Sequence, residues 1–274
     1  MNKIKIAMIY DFDGTLSPGN MQEYNFIPAV GENNDVFWSN SNRLAKEQDG
    51  DAILAYMYYM IHTAKNKEHS LRRDAFRNSG KDITFFKGVK EWFSRINKYA
   101  AENNIIIEHH INSSGIKEII EGTEIAHEFK NIFACSFFYD VDGVAYWPSV
   151  VVNYTTKTQF LFKINKGITS VYDHTQVNEY TPTEQRDVPF SRMIYFGDGT
   201  TDIPCMRLVK QLGGHSIAVY SEEKTKDKCQ KLVKENRADY IVPSDYSEGS
   251  KVDLIVKNII TKIKTDYELS RLKK

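Results

Sequence analysis

The chain has 274 residues, 41% hydrophobic, 12% aromatic and 26% charged, an ordinary globular mixture with ample material for a core. Lys plus Arg and Asp plus Glu both number 36, so no overall field favours nucleic acid or an anionic membrane, and recognition has to be local. The cysteines Cys135, Cys205 and Cys229 are odd in number and lack any C-x-x-C spacing; this excludes a disulfide framework or a zinc site and suits a reducing cytoplasm.

The chain opens with an apolar stretch from Met1 to Tyr10 that is too short for a secretory leader and runs straight into a polar motif. No later run reaches membrane-span length, so a soluble, cytoplasmic protein is expected. Within that stretch, Ile4–Tyr10 reads as the first of five buried strands, the others being Ile105–Ile111, Ile132–Phe138, Met193–Phe196 and Ser216–Tyr220. Each is short, β-branched or aromatic, and bounded by polar turn residues. Directly after the first comes Asp11-Phe12-Asp13-Gly14-Thr15, where two carboxylates one residue apart leave the pleat at a strand end. An Asp-Gly turn with solvated acids explains such a motif equally well when it stands alone.

From Ser17 to Phe85 no strand is evident, whereas Leu44 to Lys65 carries a helical apolar pattern. This segment follows the first strand directly, so it reads as an insertion: residues 17–85 form a helical cap on a core made of 1–16 and 86–274. The run Tyr56-Met57-Tyr58-Tyr59-Met60 inside it reads as core packing. Helical patterns follow at Lys87–Ala101, Gly115–His127 and Ile203–Gln211. Strands alternating with helices predict an α/β fold with a doubly wound parallel sheet, its site at the carboxyl ends of the strands. His109 and His110, late in the second strand, read as orienting or buried structural residues, since no further His or Cys is spaced for a metal.

After the second strand, Asn112-Ser113-Ser114-Gly115 offers a hydroxyl and free amides at the start of a helix, suited to an anion. A plain helix cap fits the same residues. The run Tyr139–Trp147, with Asp142-Gly143 at its centre, signals a hairpin. Lys166 precedes Gly167 on the way to the fourth strand, with Lys163 as a rival three residues earlier; each alone reads as a solvated lysine. Gly197-Asp198-Gly199-Thr200-Thr201-Asp202 then places two more acids at a strand end. Four carboxylates at one sheet edge need a cation among them, and oxygen donors alone favour Mg2+. The chain closes on an amphipathic helix (Ile255, Ile259, Ile260, Ile263) with a basic face from Lys262 to Lys274.

In this order the motifs resemble those of the haloacid-dehalogenase superfamily, over the chain from Ile4 to about Val219 apart from the insertion. Asp11 and Asp13 match the Asp-x-Asp-Gly-Thr signature, Ser113 the small hydroxyl residue, Lys166 the lysine, and Asp198 and Asp202 the Gly-Asp-Gly-x-x-Asp signature. The resemblance implies a Rossmann-like core and a magnesium-dependent phosphatase. In it Asp11 is the nucleophile and Asp13 the acid and base, with Asp11, Asp198 and the Asp13 carbonyl around the metal. Ser113, the Ser114 amide and Lys166 would hold phosphate, and Asp202 would orient Lys166 or waters. The layout is similar to the phosphoserine-phosphatase branch, which implies a small phosphorylated metabolite as partner. That branch carries a Glu nine residues beyond the nucleophile; here the position is Asn20, with Glu23 one turn on as a substitute substrate contact.

Competing readings stay within reach of the same motifs. A phosphotransferase or dehalogenase would share the fold, although a dehalogenase needs neither the metal nor Asp13. A phosphorylated signalling domain also uses an Asp, a hydroxyl, a Lys and magnesium, but an acid–base at Asp13 would hasten loss of its phosphoryl group. A binding module on a retired catalytic fold is a further alternative.

Overall fold

The structure is a computed structural model that describes residues 3–272; Met1 and Asn2 at the start, and Lys273 and Lys274 of the basic run, lie outside the described residues. Seven strands form one sheet: β1 Ile4–Tyr10, β2 Ile105–Ile116, β3 Phe129–Tyr139, β4 Ala145–Val150, β5 Met193–Gly197, β6 His215–Tyr220 and β7 Tyr240–Pro243. Their spatial order is β4-β3-β2-β1-β5-β6-β7, and every neighbouring pair is parallel except β3 with β4. A parallel sheet is covered on both faces, so its central strands read as continuous apolar runs. Accordingly Ile6, Ala7, Met8, Ile9 and Tyr10 of β1 are all fully buried. The doubly wound α/β reading therefore holds, with β7 and the second hairpin arm β4 added to the five expected strands.

Between β1 and β2 lie α1 Phe26–Ala29, α2 Asn34–Glu47, α3 Ala52–Asn66 and α4 Arg73–Ser79, then α5 Val89–Glu102. The continuous helix expected from Leu44 to Lys65 is two helices. Asp49 adopts a left-handed φ of 48°, and Asp51 starts α3 by accepting from the Leu54 amide at 2.9 Å. The two ends of this segment meet: the Phe86 amide donates to the Leu16 carbonyl at 3.0 Å. Inside it, Phe26 stacks on Phe76, and Phe76 on Phe137 of β3, which seats the helices against the sheet. Met57 and Met60 are fully buried and Tyr56 nearly so, while Tyr58 is half exposed.

Beyond β2 come α6 Lys117–Glu121, α7 Thr156–Lys166, α8 Thr175–Asn178, α9 Ile203–Gln211, α10 Glu223–Lys234 and α11 Lys251–Leu272. The helix expected from Gly115 to His127 shrinks to α6. Strand β2 continues to Ile116, and Gly122 lies so close to the Arg77 carbonyl that a β-carbon there would sit 1.8 Å from it. The expected hairpin is present: Asp140 accepts from the amides of Asp142 and Val144, and Gly143 supplies the φ of +74° that the turn needs.

Beneath β1 a buried polar chain replaces apolar packing. The Trp92 indole donates to the Tyr10 hydroxyl at 3.0 Å, that hydroxyl lies 3.1 Å from His109 Nδ1, and His109 Nε2 lies 3.0 Å from Asn97 Oδ1. Asn97 Oδ1 can only accept, so the imidazole carries its proton on Nε2 and accepts from Tyr10 at Nδ1. Burial, with His110 alongside, pushes His109 down to about 3. His110 is also fully buried, and its Nδ1 meets the Asn131 side chain at 3.2 Å.

Candidate active site

Two adjacent strands, β1 and β5, deliver the acidic groups, and β2 beside them brings Ser113. Strand β1 lies between β2 and β5, so the residues following β1 and β5 and those at the end of β2 share one edge. Asp11 follows β1 and is nearly buried. Its Oδ1 accepts from the Phe12 amide at 2.7 Å and its Oδ2 from Lys157 Nζ at 2.8 Å. Asp198 follows β5 and packs directly on the turn after Asp13. A β-carbon on Gly14 would lie 2.2 Å from Asp198 Oδ2, and Gly14 has φ of +71°, so only glycine fits. Asp11, Asp198 and Asp202 each offer a carboxylate oxygen, all within 4.8 Å of one another.

The lysine at this centre is Lys157, not Lys166. Lys157 is fully buried and bonds Asp11 Oδ2 at 2.8 Å, Asp202 Oδ1 at 2.7 Å and Thr201 Oγ1 at 3.3 Å. Burial alone would lower its pKa, but the charges of Asp11 and Asp202 outweigh that and raise it, so it stays an ammonium. Lys166 Nζ instead donates to the carbonyls of Gln176, Val177 and Glu179, fastening the segment after α7. Lys163 does likewise with Ser170 and Asp173. The reason is directional. Helix α7 starts at the carboxyl edge of the sheet and runs to the amino edge, where Gly167 abuts Asp187, the partner of Lys5 at the start of β1. Nine residues of helix span roughly 13 Å, which takes Lys166 out of reach. The signal for Lys157 was its phase: it shares the inward face of α7 with Phe160, Leu161 and Ile164, all buried.

Asp202 is fully buried at the start of α9. Tyr195 of β5 donates to its Oδ1 at 2.7 Å, and the Gly199 amide to its Oδ2 at 3.2 Å. Burial and the charge of Asp11 push Asp202 up to about 6, against the Lys157 and Tyr195 bonds. Tyr195 carried no signal, because a buried tyrosine inside an apolar strand reads as core. Asp13 accepts from the Met21 amide at 2.9 Å. Its pKa is raised above the ordinary carboxylate value by burial and by Asp11, with Asp198 and Glu23 adding to the shift. Asp198 is raised for the same reasons, burial first and then Asp202 and Asp11.

Ser113 is buried near the end of β2, and its Oγ accepts from the Gly115 amide at 3.0 Å. The Ser-Ser-Gly turn is an irregular stretch of strand, with a register shift between Asn112 and Ile116, and not the start of a helix as expected; α6 begins at Lys117. Asn20 and Glu23 form a capping box, and Glu23 Oε1 also accepts from the Trp38 indole at 2.7 Å. Both Glu23 oxygens thus already have donors, Oε2 from the Asn20 amide.

The Putative Phosphatase family matches the chain over residues 6–221. An uncharacterized protein of Borreliella burgdorferi is 30% identical over 272 residues, covering 90% of this chain and 93% of its own. A HAD family hydrolase of Salmonella enterica serovar Typhi superposes with a TM-score of 0.59 at 12% identity, over 92% of this chain and 70% of that one. A substrate-bound phosphoserine phosphatase gives 0.57 at 16% identity, over 93% and 99%. Among the described residues no helix is long and apolar enough to cross a membrane. The chain belongs to the Putative Phosphatase family and is a phosphatase on the haloacid-dehalogenase fold.

Proposed function

We propose that the protein is a magnesium-dependent phosphomonoester hydrolase that passes through a phosphoaspartate at Asp11, acting on a small phosphorylated metabolite. The observation that carries this is Lys157 held between Asp11 and Asp202 at the edge where Asp13 and Asp198 also lie. A carboxylate nucleophile next to a fixed ammonium, with a second carboxyl group to carry the proton, is the set that a two-step displacement at phosphorus requires.

The donor set fits magnesium. It is all oxygen, and Asp202, with Lys157, Tyr195 and the Gly199 amide as donors, is more fully occupied than Asp11, with Phe12 and Lys157, so Asp11 and Asp198 are the better placed carboxylates. The Asp13 carbonyl would complete the protein's share. The ion would supply positive charge for the phosphate oxygens and hold the acids together.

In the first step a carboxylate oxygen of Asp11 bonds to phosphorus while the phosphorus–ester oxygen bond breaks, and Asp13 gives its proton to the departing oxygen. In the second, Asp13 takes a proton from water as that water bonds to phosphorus, freeing phosphate and restoring the Asp11 carboxylate. Lys157 and the Ser113 hydroxyl, whose oxygen already accepts from Gly115, would hold the phosphate oxygens with the Ser114 amide. Residues 17–85 would act as a cap over a core of 1–16 and 86–274, consistent with the hydrogen bond that joins Leu16 to Phe86. Asn20 and Glu23 lie in that cap near Asp13 and are its candidate contacts to the leaving group.

The test is a screen of phosphorylated metabolites, phosphoserine among them since a phosphoserine phosphatase shares the fold, reading released phosphate with magnesium and with EDTA. Magnesium-dependent release that Asp11→Asn abolishes is expected. Equal rates in EDTA would remove the metal from the reading.

A further inference from the structure

Helix α3 packs along β4 and also makes two side-chain hydrogen bonds to the core, each to a residue close in sequence to a group that holds phosphate in the reading above. Tyr56, which is 4% exposed, donates its hydroxyl to the Ser114 carbonyl at 2.6 Å, one residue beyond Ser113. Asp51, the N-cap of the same helix, accepts from the Asn153 side-chain amide through Oδ2 while Oδ1 caps Leu54. Asn153 in turn lies just before α7: its carbonyl accepts from the Lys157 amide at 3.0 Å, and its Oδ1 from the Thr156 hydroxyl at 2.9 Å. A third bond closes the ring, because Asn112, next to Ser113, donates to the Lys157 carbonyl at 3.1 Å. The serine turn and the lysine helix are therefore joined once directly and once through α3.

We propose that Asp51, Tyr56 and Asn153 are positioning residues, and that α3 sets the separation between the Ser113-Ser114 turn and Lys157. The proposal rests on the phosphatase reading. It differs from a cap that only selects the leaving group, because the effect reaches the phosphate itself. Misplacing catalytic groups by about 1 Å costs on the order of 100-fold in rate, so a spacer built into the cap has leverage on chemistry it never touches.

Orthovanadate has no leaving group and separates the two roles. The experiment measures kcat on the best ester of the screen, and the competitive inhibition constant of orthovanadate with magnesium. The proteins are the wild type, Tyr56→Phe, Asn153→Asp and the double variant Asp51→Asn with Asn153→Asp. Tyr56→Phe deletes one donor and keeps the ring. Asn153→Asp sets two carboxylates face to face, and the double variant restores a donor opposite an acceptor while the asparagine side chain at position 51 still caps α3. Both single variants are expected to lower kcat and weaken orthovanadate about tenfold, and the double variant to recover most of both. Orthovanadate affinity unchanged in both singles, or losses that only match the fraction unfolded at the assay temperature, would overturn the proposal. A wild type inert toward every ester and unresponsive to magnesium would instead overturn the hydrolase reading, and the proposal with it.

Discussion

Lys157 and Tyr195 donate to the same oxygen, Oδ1 of Asp202, each at 2.7 Å and with none of the three side chains exposed to solvent. The ammonium is thereby held by a second, anchored carboxylate besides Asp11. A lysine with four rotatable bonds would otherwise spend side-chain entropy to reach one position, so this anchoring keeps it aimed at Asp11, the proposed nucleophile.

Lys157→Met is expected to lower kcat by about 1,000-fold, the scale of losing a preorganised donor to the transition state. It also leaves Asp11 and Asp202 without their cation, a change that costs about 3–5 kcal/mol where a buried pair is broken. Lys166→Ala should keep kcat within about twofold and cost on the order of 1 kcal/mol, from its lost carbonyl bonds. Phosphate-release kinetics and urea unfolding on both variants check this; an inactive Lys166→Ala that remains folded would reverse the assignment.

Asp11→Asn and Asp13→Asn should both abolish turnover of an alkyl phosphate, at different steps. Asp11→Asn cannot form a phosphoenzyme at all. Asp13→Asn retains the nucleophile and should still be phosphorylated by an activated aryl phosphate, whose leaving oxygen needs little protonation. Acid-quenched labelling distinguishes them, and full turnover by Asp11→Asn would end the phosphoaspartate reading.

Gly14→Ala should inactivate the enzyme, since its β-carbon would overlap the Asp198 carboxylate and its φ of +71° is hostile to alanine. Gly143→Ala is the control: φ is +74° with open space around it, so about 1 kcal/mol of strain and unchanged kcat are expected. Equal activity in the two variants would show that Asp198 can leave the Asp13–Gly14 turn without consequence.

Stability should fall on mild acidification because of His109, which is 3% exposed. Its folded pKa, about 3, lies below the ordinary imidazole value, so the unfolded chain takes up a proton that the folded chain refuses. The stabilising contribution is complete above about pH 6.5 and lost progressively towards pH 3; at pH 5 the loss is about 2 kcal/mol. His110 shifts in the same direction. Urea titrations at pH 7 and pH 5 should show this drop in the wild type and a smaller one in His109→Gln.

Most of the sheet was legible because parallel strands buried on both faces are short unbroken apolar runs, as in Ile4–Tyr10 and Met193–Gly197. Strand β7 was not, since Tyr240–Pro243 is four residues long and ends on proline. The acids were found because two of them in one motif break an apolar pattern abruptly. Lys157 was missed for the opposite reason. A lone lysine carries no local pattern, and its role depends on the end of α7 at which it sits and on the face it turns inward. The breaks at Asp49 and Gly122 depended on a left-handed residue and a close backbone approach, neither of which periodicity registers.

The hydrogen bond between the Phe86 amide and the Leu16 carbonyl closes residues 17–85 into a loop at its base. Strand β1 and helix α5 are held at a fixed spacing by that bond, whatever the length of chain between them. Closing a longer loop costs only about 0.6 kcal/mol for each doubling. Inserts of another length are therefore cheap to close, but Met21 of this one donates to Asp13 and Tyr56 to the Ser114 carbonyl, so an exchange that drops those two bonds reaches the sheet edge as well.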